Sequence, residues 1–295
     1  MAVREAVVGL AGLIALCGCG AAAPAAAQTP AERADAALAA ALEVSPRPTT
    51  LRARRAALES LVNDPPPPGS GRDPLSDAEK TEFYVDYAED LARWTAVDHA
   101  LRALSPVAAL DAACVGPALN NCTVSSHGTI TTGEGGADIA WQAQSGSTDE
   151  EGTLGGVVLL RREAAGWKPI AWAYDGYEYW PVTLAVSADG VQRLHGVGVH
   201  GGSGGHNADV LFQRDGDGWT DVDIESWRDA LPARLPAGLG VWKGVRYDFT
   251  ALRTSSPLWK ADDANCCPTG GRADFAFAVR DGVLTLTEVQ ARPAE

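Results

Sequence analysis

Apolar residues recur every three or four positions along one stretch: Phe83, Tyr84, Tyr87, Leu91, Trp94, Val97, Leu101 and Leu104. That spacing places them on one side of a helix. Ser76-Asp77-Ala78-Glu79 stands ahead of them as a capping box, in which the serine hydroxyl and the glutamate carboxylate satisfy two free amides at the helix start. Ser105-Pro106 closes the run. The pattern predicts a helix over 76–104. From residue 120 the period falls to two. Four segments then read as strand, turn, strand: 157–173, 181–199, 208–225 and 273–289. Asp189-Gly190 and Asp281-Gly282 lie between alternating apolar residues, the strongest short-range hairpin signal. These units predict hairpins of one barrel or sandwich, or blades of a small propeller. IESWRDALPARL, 224–235, predicts a short helix among them.

Ahead of residue 76 the signal is weaker. AERADAALAAALEV is helix-like but offers little bulk to bury, and PTTLRARRAALESLV carries Thr49 or Thr50 as a cap, with leucines at 51, 58 and 61. NDPPPPGSGRDP, 63–74, then breaks any regular structure and favours an extended spacer. Residues 20–74 therefore read as a partly ordered spacer. The expected class is α+β: mostly antiparallel β, in a hairpin-rich sheet, sandwich or barrel, with an N-terminal helical segment. The expected division is 1–18 a leader, 19–74 a helical and Pro-rich spacer, 75–115 a helix packed on the sheet, and 116–295 an antiparallel β domain.

The leader reading rests on Ala6–Leu16, an apolar run after Arg4 that is too short for a bilayer, which needs about 20 residues. Leu16-Cys17-Gly18-Cys19 resembles the bacterial lipobox, which implies that Cys19 becomes the lipidated first residue. Cleavage after 27, at Ala25-Ala26-Ala27, is the alternative and would release a soluble periplasmic protein. Setting Cys17 and Cys19 aside leaves Cys114, Cys122, Cys266 and Cys267, an even number suited to an oxidising compartment. Two pairings stay open. Cys114 can join Cys122 across a short loop, with Cys266 and Cys267 bridged to each other or reduced. Otherwise 114/122 cross to 266/267 and tie the helical region to the last hairpin. Adjacent cysteines serve one zinc ion poorly, so no metal is expected there.

A formal net charge of −14 excludes an electrostatic footprint for nucleic acid. Gly201, Ser203 and Gly205 spell G-x-S-x-G, but a nucleophile elbow must lead into a helix, and a strand-like run follows. The stretch also resembles the G-D-S-G-G of trypsin-like proteases, with Gly202 where the aspartate would stand. His195, His200 and His206 cluster among glycines, yet 195 and 200 point to opposite faces of a straight strand. Asp215-Gly216-Asp217-Gly218 lacks an oxygen ligand at Trp219, where a calcium loop would need one. His99 reads as a surface or packing residue. No cofactor, metal or catalytic residue is expected from these patterns. The best binding hint is WAYDGYEYWP, 172–181. Trp172, Tyr174, Tyr177, Tyr179 and Trp180 could form a platform for a sugar or peptide, or half of a core.

The tail SPLWKADDANCCPTGGRADFAFAVRDGVLTLTEV resembles the tail of uncharacterised secreted proteins and lipoproteins of bacteria. The shared elements are Cys-Cys-Pro-[Ser/Thr]-Gly and a following hairpin, over about 35 of 295 residues. The resemblance implies export and an unknown role, and points to no particular activity. The adjacent thiols are read as locking the start of the last hairpin. The sequence thus leads to an exported protein, lipid-anchored in the envelope. It would hold a partner protein or cell-wall component, or serve a structural role. An envelope hydrolase or a thiol-redox protein using Cys266 and Cys267 is the alternative.

Overall fold

The computed structural model describes residues 28–65, 73–134, 136–201, 205–292 and 294. The leader, Cys17, Cys19 and Ser203 lie outside the described residues. Three helices come first: α1 (Pro30–Val44), α2 (Pro48–Asn63) and α3 (Asp77–Ala103). Ser76 caps α3, and Glu79 returns the bond to its backbone, as the capping-box pattern requires.

The segment read as a spacer is instead packed through its helical part. Ala34 and Ala41 of α1 are buried, and Ala34 joins Leu58, Val62 and Tyr84 in a small apolar cluster spanning all three helices. Lack of bulk does not keep these side chains out of the core, because an alanine face lets helices approach closely and gain dispersion contacts along their length. Nor does Thr49 or Thr50 act as N-cap. The helix starts at Pro48 with Arg47 before it, and no local side chain caps it.

The strands follow in chain order. β1 (Asn120–Ile130), β2 (Ile139–Thr148), β3 (Gly152–Glu163) and β4 (Gly166–Gly176) form an antiparallel meander in that spatial order. β5 (Glu178–Tyr179), β6 (Thr183–Val186), β7 (Gln192–Gly196), β8 (Gly198–Val199), β9 (Val210–Asp215) and β10 (Gly218–Val222) come next. Of these, β10-β9-β7-β6 make a second sheet and β5-β8 a short pair. A 3-10 helix at Ser226–Ala233 replaces the short helix expected at 224–235. β11 (Leu239–Gly240), β12 (Arg253–Pro257), β13 (Trp259–Lys260), β14 (Arg272–Arg280) and β15 (Val283–Arg292) complete the chain, with β12-β14-β15 as a third sheet.

All four predicted hairpins form: β3–β4, β6–β7, β9–β10 and β14–β15. At the last, Asp281 and Gly282 both take positive φ, 51° and 76°. This is the left-handed pair that a tight turn matching strand twist demands. The sheets are stacked. One face of the meander, through Trp141, Val157 and Leu159, meets Leu194, Val210 and Phe212 of the second sheet. The other face, through Val158, Leu160 and Trp172, meets Leu101 of α3 and Leu110, Val115 and Leu119 of the linking segment. Leu154–Leu160 of β3 is buried at every position, which accounts for an apolar run without alternation. Beyond the second sheet, Leu211 and Val222 face Trp227, Phe275 and Phe277 in a further core.

Candidate functional site

The turn between α1 and α2 brings Arg47 and the start of α2 over the end of β4. The sequence makes this turn with Ser45-Pro46-Arg47-Pro48, in which proline can open α2 because the first helical amide needs no partner. Arg47 N–H donates to Ser45 Oγ at 3.2 Å. Thr49 and Thr50 N–H donate to the two carboxylate oxygens of Asp221 on β10, at 3.1 and 2.8 Å. Leu51 N–H then begins the intrahelical ladder on Arg47 O at 3.0 Å. Every donor at the start of α2 is therefore satisfied, two of them by a buried carboxylate 171 positions beyond Thr50.

Beside this lies Asp175. Its Oδ2 accepts from Arg47 Nη1 at 2.7 Å and from Arg54 Nη2, and its Oδ1 accepts from Tyr179 Oη at 2.7 Å. Burial alone would raise its pKa, but the two guanidiniums and the phenol hold the carboxyl well below the usual range. Burial likewise opposes the Arg47 cation, and Asp175 more than restores it. Burial pushes the Tyr179 hydroxyl far up, so it stays a donor.

Next to these groups a cavity of about 450 Å³ opens between the helices and the meander. Its floor is Trp172, Tyr174 and Asp175, its wall Trp94 and Asp98, and its mouth Arg54 and His200. Trp94 stacks on Tyr174 with centroids 5.8 Å apart and planes 8° from parallel, and Arg93 covers its ring at 5.0 Å. Trp172 Nε1–H donates to Asp98 Oδ1 at 2.5 Å. Burial raises the Asp98 pKa to about 6 against the pull of that bond and of Arg102. Across Arg47, Arg54 and Asp175, a second cavity of about 310 Å³ continues past Glu225 and Arg228. Burial raises Glu225 as well.

The five aromatic residues of 172–180 do not share one exposed face. Alternation sends Trp172 and Tyr174 to the α3 side of the meander, where both are buried, and Tyr179 is buried on Asp175. Only Tyr177 and Trp180 are exposed, at 51% and 39%. Trp180 edges a third cavity, about 500 Å³, that contains His195 and Asp209. There His195 Nε2 lies 2.7 Å from Asp209 Oδ2, while Asp209 Oδ1 accepts from Asn207 Nδ2 and Gly198 N–H. His200 N–H donates to His206 O at 3.0 Å, and neither histidine lines the cavity of this pair. Among the described residues no group of three potential ligands could hold a metal ion. Asp215-Gly216-Asp217-Gly218 is the β9–β10 turn, and His99 is exposed on α3.

Cys114 is bonded to Cys122 with Cα atoms 6.1 Å apart, and Cys266 to Cys267. The first bridge pins the linking segment to β1 beside Gln144. The crossed pairing does not form. Among the described residues no helix is long and apolar enough to cross a membrane.

The cavity residues Arg47, Arg54, Asp98 and Asp175 were not legible as a site. Arg47 and Asp175 are 128 positions apart, and within 172–181 the aromatic residues, not Asp175, drew the reading. No protein-family model and no curated protein match the chain.

Proposed function

We propose that this protein is an exported, lipid-anchored envelope protein that binds a cell-wall component in the cavity between its helices and the meander. One observation carries the reading: a recess of about 450 Å³ joins a stacked Trp94–Tyr174 wall to a mouth holding a half-exposed arginine, Arg54. That size, with aromatic rings beside charged groups such as Arg54, Asp90 and Glu151, suits a polar small ligand or the end of a polymer. A sugar ring can pack against the part of Trp94 that lines the cavity, and a hydroxyl or carboxylate can reach Arg54. Two cysteine bridges are consistent with an oxidising compartment, and the lipobox resemblance supplies the anchor at Cys19.

Soluble muropeptides and oligosaccharides titrated against the native protein test this through tryptophan fluorescence. A saturable change that weakens at least about tenfold in Trp94→Ala and in Arg54→Ala is expected, since each lost contact is worth over 1 kcal/mol. Absence of any saturable change, with no ligand carried through purification, overturns it. The mass of the mature protein tests the anchor: three acyl chains on Cys19 are expected, and a start at residue 28 refutes them.

A second reading has one observation in its favour. His195 is held by buried Asp209 and lines a cavity, a pairing that can serve a general base. Hydrolysis of an envelope ester or amide that disappears in His195→Gln would support it.

A further inference from the structure

The loop 261–271 between β13 and β14 carries the adjacent cysteines, and a set of hydrogen bonds closes it. Leu258 N–H donates to Gly271 O at 2.9 Å and Gly270 N–H to Leu258 O at 2.8 Å, closing the base. Inside, Asp263 is the hub. Its carboxylate accepts from Lys260 N–H at 2.8 Å, Thr269 N–H at 2.7 Å and Thr269 Oγ1 at 2.6 Å. Cys267 N–H donates to Ala264 O at 2.9 Å. Hydrogen bonds thus fix the chain on both sides of the cysteines, and the start of the last hairpin is locked by a carboxylate.

The two bridges therefore differ in kind. Cys114 and Cys122 are eight residues apart and close a loop against a buried core. Cys266 and Cys267 enclose no intervening residue, so their bond removes almost no freedom from the unfolded chain. Their Cα atoms lie 3.8 Å apart, inside the usual lower limit of about 4.4 Å for a bridge. Both residues are exposed at the crest of the loop. A bridge that is exposed, confined to adjacent residues and unneeded for the fold is poised for exchange.

We propose that Cys266–Cys267 is a thiol–disulfide exchange site that turns over within the folded protein, with a dithiol as its reductant. A thiolate of the dithiol attacks Sγ of one cysteine. The S–S bond breaks, a mixed disulfide forms, and the other cysteine leaves as a thiolate that takes a proton. The second thiol of the dithiol then attacks the mixed disulfide, forming the cyclic disulfide and releasing the remaining cysteine as a thiol. Two electrons and two protons pass to the protein. The loop keeps its shape because Asp263 and the base hydrogen bonds are untouched.

The test uses the full-length native protein, dithiothreitol over a range of concentrations, alkylation at timed intervals and peptide mass mapping. Cys266 and Cys267 are expected to be alkylated at least about tenfold sooner than Cys114 and Cys122. Circular dichroism and the thermal midpoint should stay unchanged through that first phase, and oxidised dithiothreitol should restore the bridge. The Cys266→Ser/Cys267→Ser double variant should melt with the wild type. Equal rates at the two bridges, resistance of 266–267 until denaturant is added, or a fall in midpoint on its reduction overturns the proposal.

Discussion

The contact between Asp221 and the start of α2 makes the sharpest prediction about stability. Asp221 is 2% exposed, and its two oxygens take the N–H groups of Thr49 and Thr50. Arg47 at the N-cap carries no side-chain acceptor, and no local side chain caps the helix, so no group at the helix start stands ready to replace the carboxylate. Asp221→Ala would strand two amides. A hydrogen bond to a charged group contributes about 1.5–3 kcal/mol, and the helix dipole adds about 0.5 kcal/mol near the first turn. Local relaxation lets water reach part of the break, so a loss of about 3 kcal/mol is expected in place of the full sum. Asp221→Asn keeps one acceptor and turns an N–H₂ toward the second amide, which should cost about 2 kcal/mol. Equilibrium unfolding in urea gives the global figure. Hydrogen exchange across Leu51–Val62 reads whether α2 lets go on its own, since a helix can detach below the global transition. If Asp221→Ala alters stability by under about 0.5 kcal/mol and leaves exchange in α2 unchanged, the tertiary cap is not what holds this helix.

Other outcomes follow from the same geometry. Arg47→Met leaves partly buried Asp175 with Arg54 and Tyr179 and should cost about 2 kcal/mol by urea unfolding, less than breaking a fully buried pair. For Asp98 the folded pKa, about 6, lies above the ordinary 3.8, so the folded state holds the extra proton between those values. Its contribution is complete below pH 3.8 and is lost as pH rises through 6. The stability of Asp98→Asn relative to wild type should therefore climb by about 2 kcal/mol from pH 4 to 6.5 and then level off; a flat difference refutes this. A Cβ at Gly156 would land on the Tyr174 ring, so Gly156→Ala should displace the Trp94–Tyr174 stack and cost about 2 kcal/mol, seen as a lower midpoint and altered tryptophan emission. Replacing both Cys114 and Cys122 by serine should cost about 2.5 kcal/mol in thermal unfolding, in contrast to the pair at 266 and 267.

The sequence by itself determined the pieces whose causes are local. Ser76 and Glu79 mark the start of α3 because a capping box is made by residues three apart. Asp281-Gly282 fixes the last hairpin because its turn needs two left-handed residues in a row. The alternation in 172–174 sent Trp172 and Tyr174 to one side, but it could not say which side α3 would cover. Only the tertiary structure decided that the alanine face of α1 would be buried, that Asp221 would cap a helix 171 residues away from it, and that two arginines would converge on Asp175. These contacts arise from the stacking of sheets and helices. Stacking depends on the shape of whole faces, and no short window of the chain carries that information.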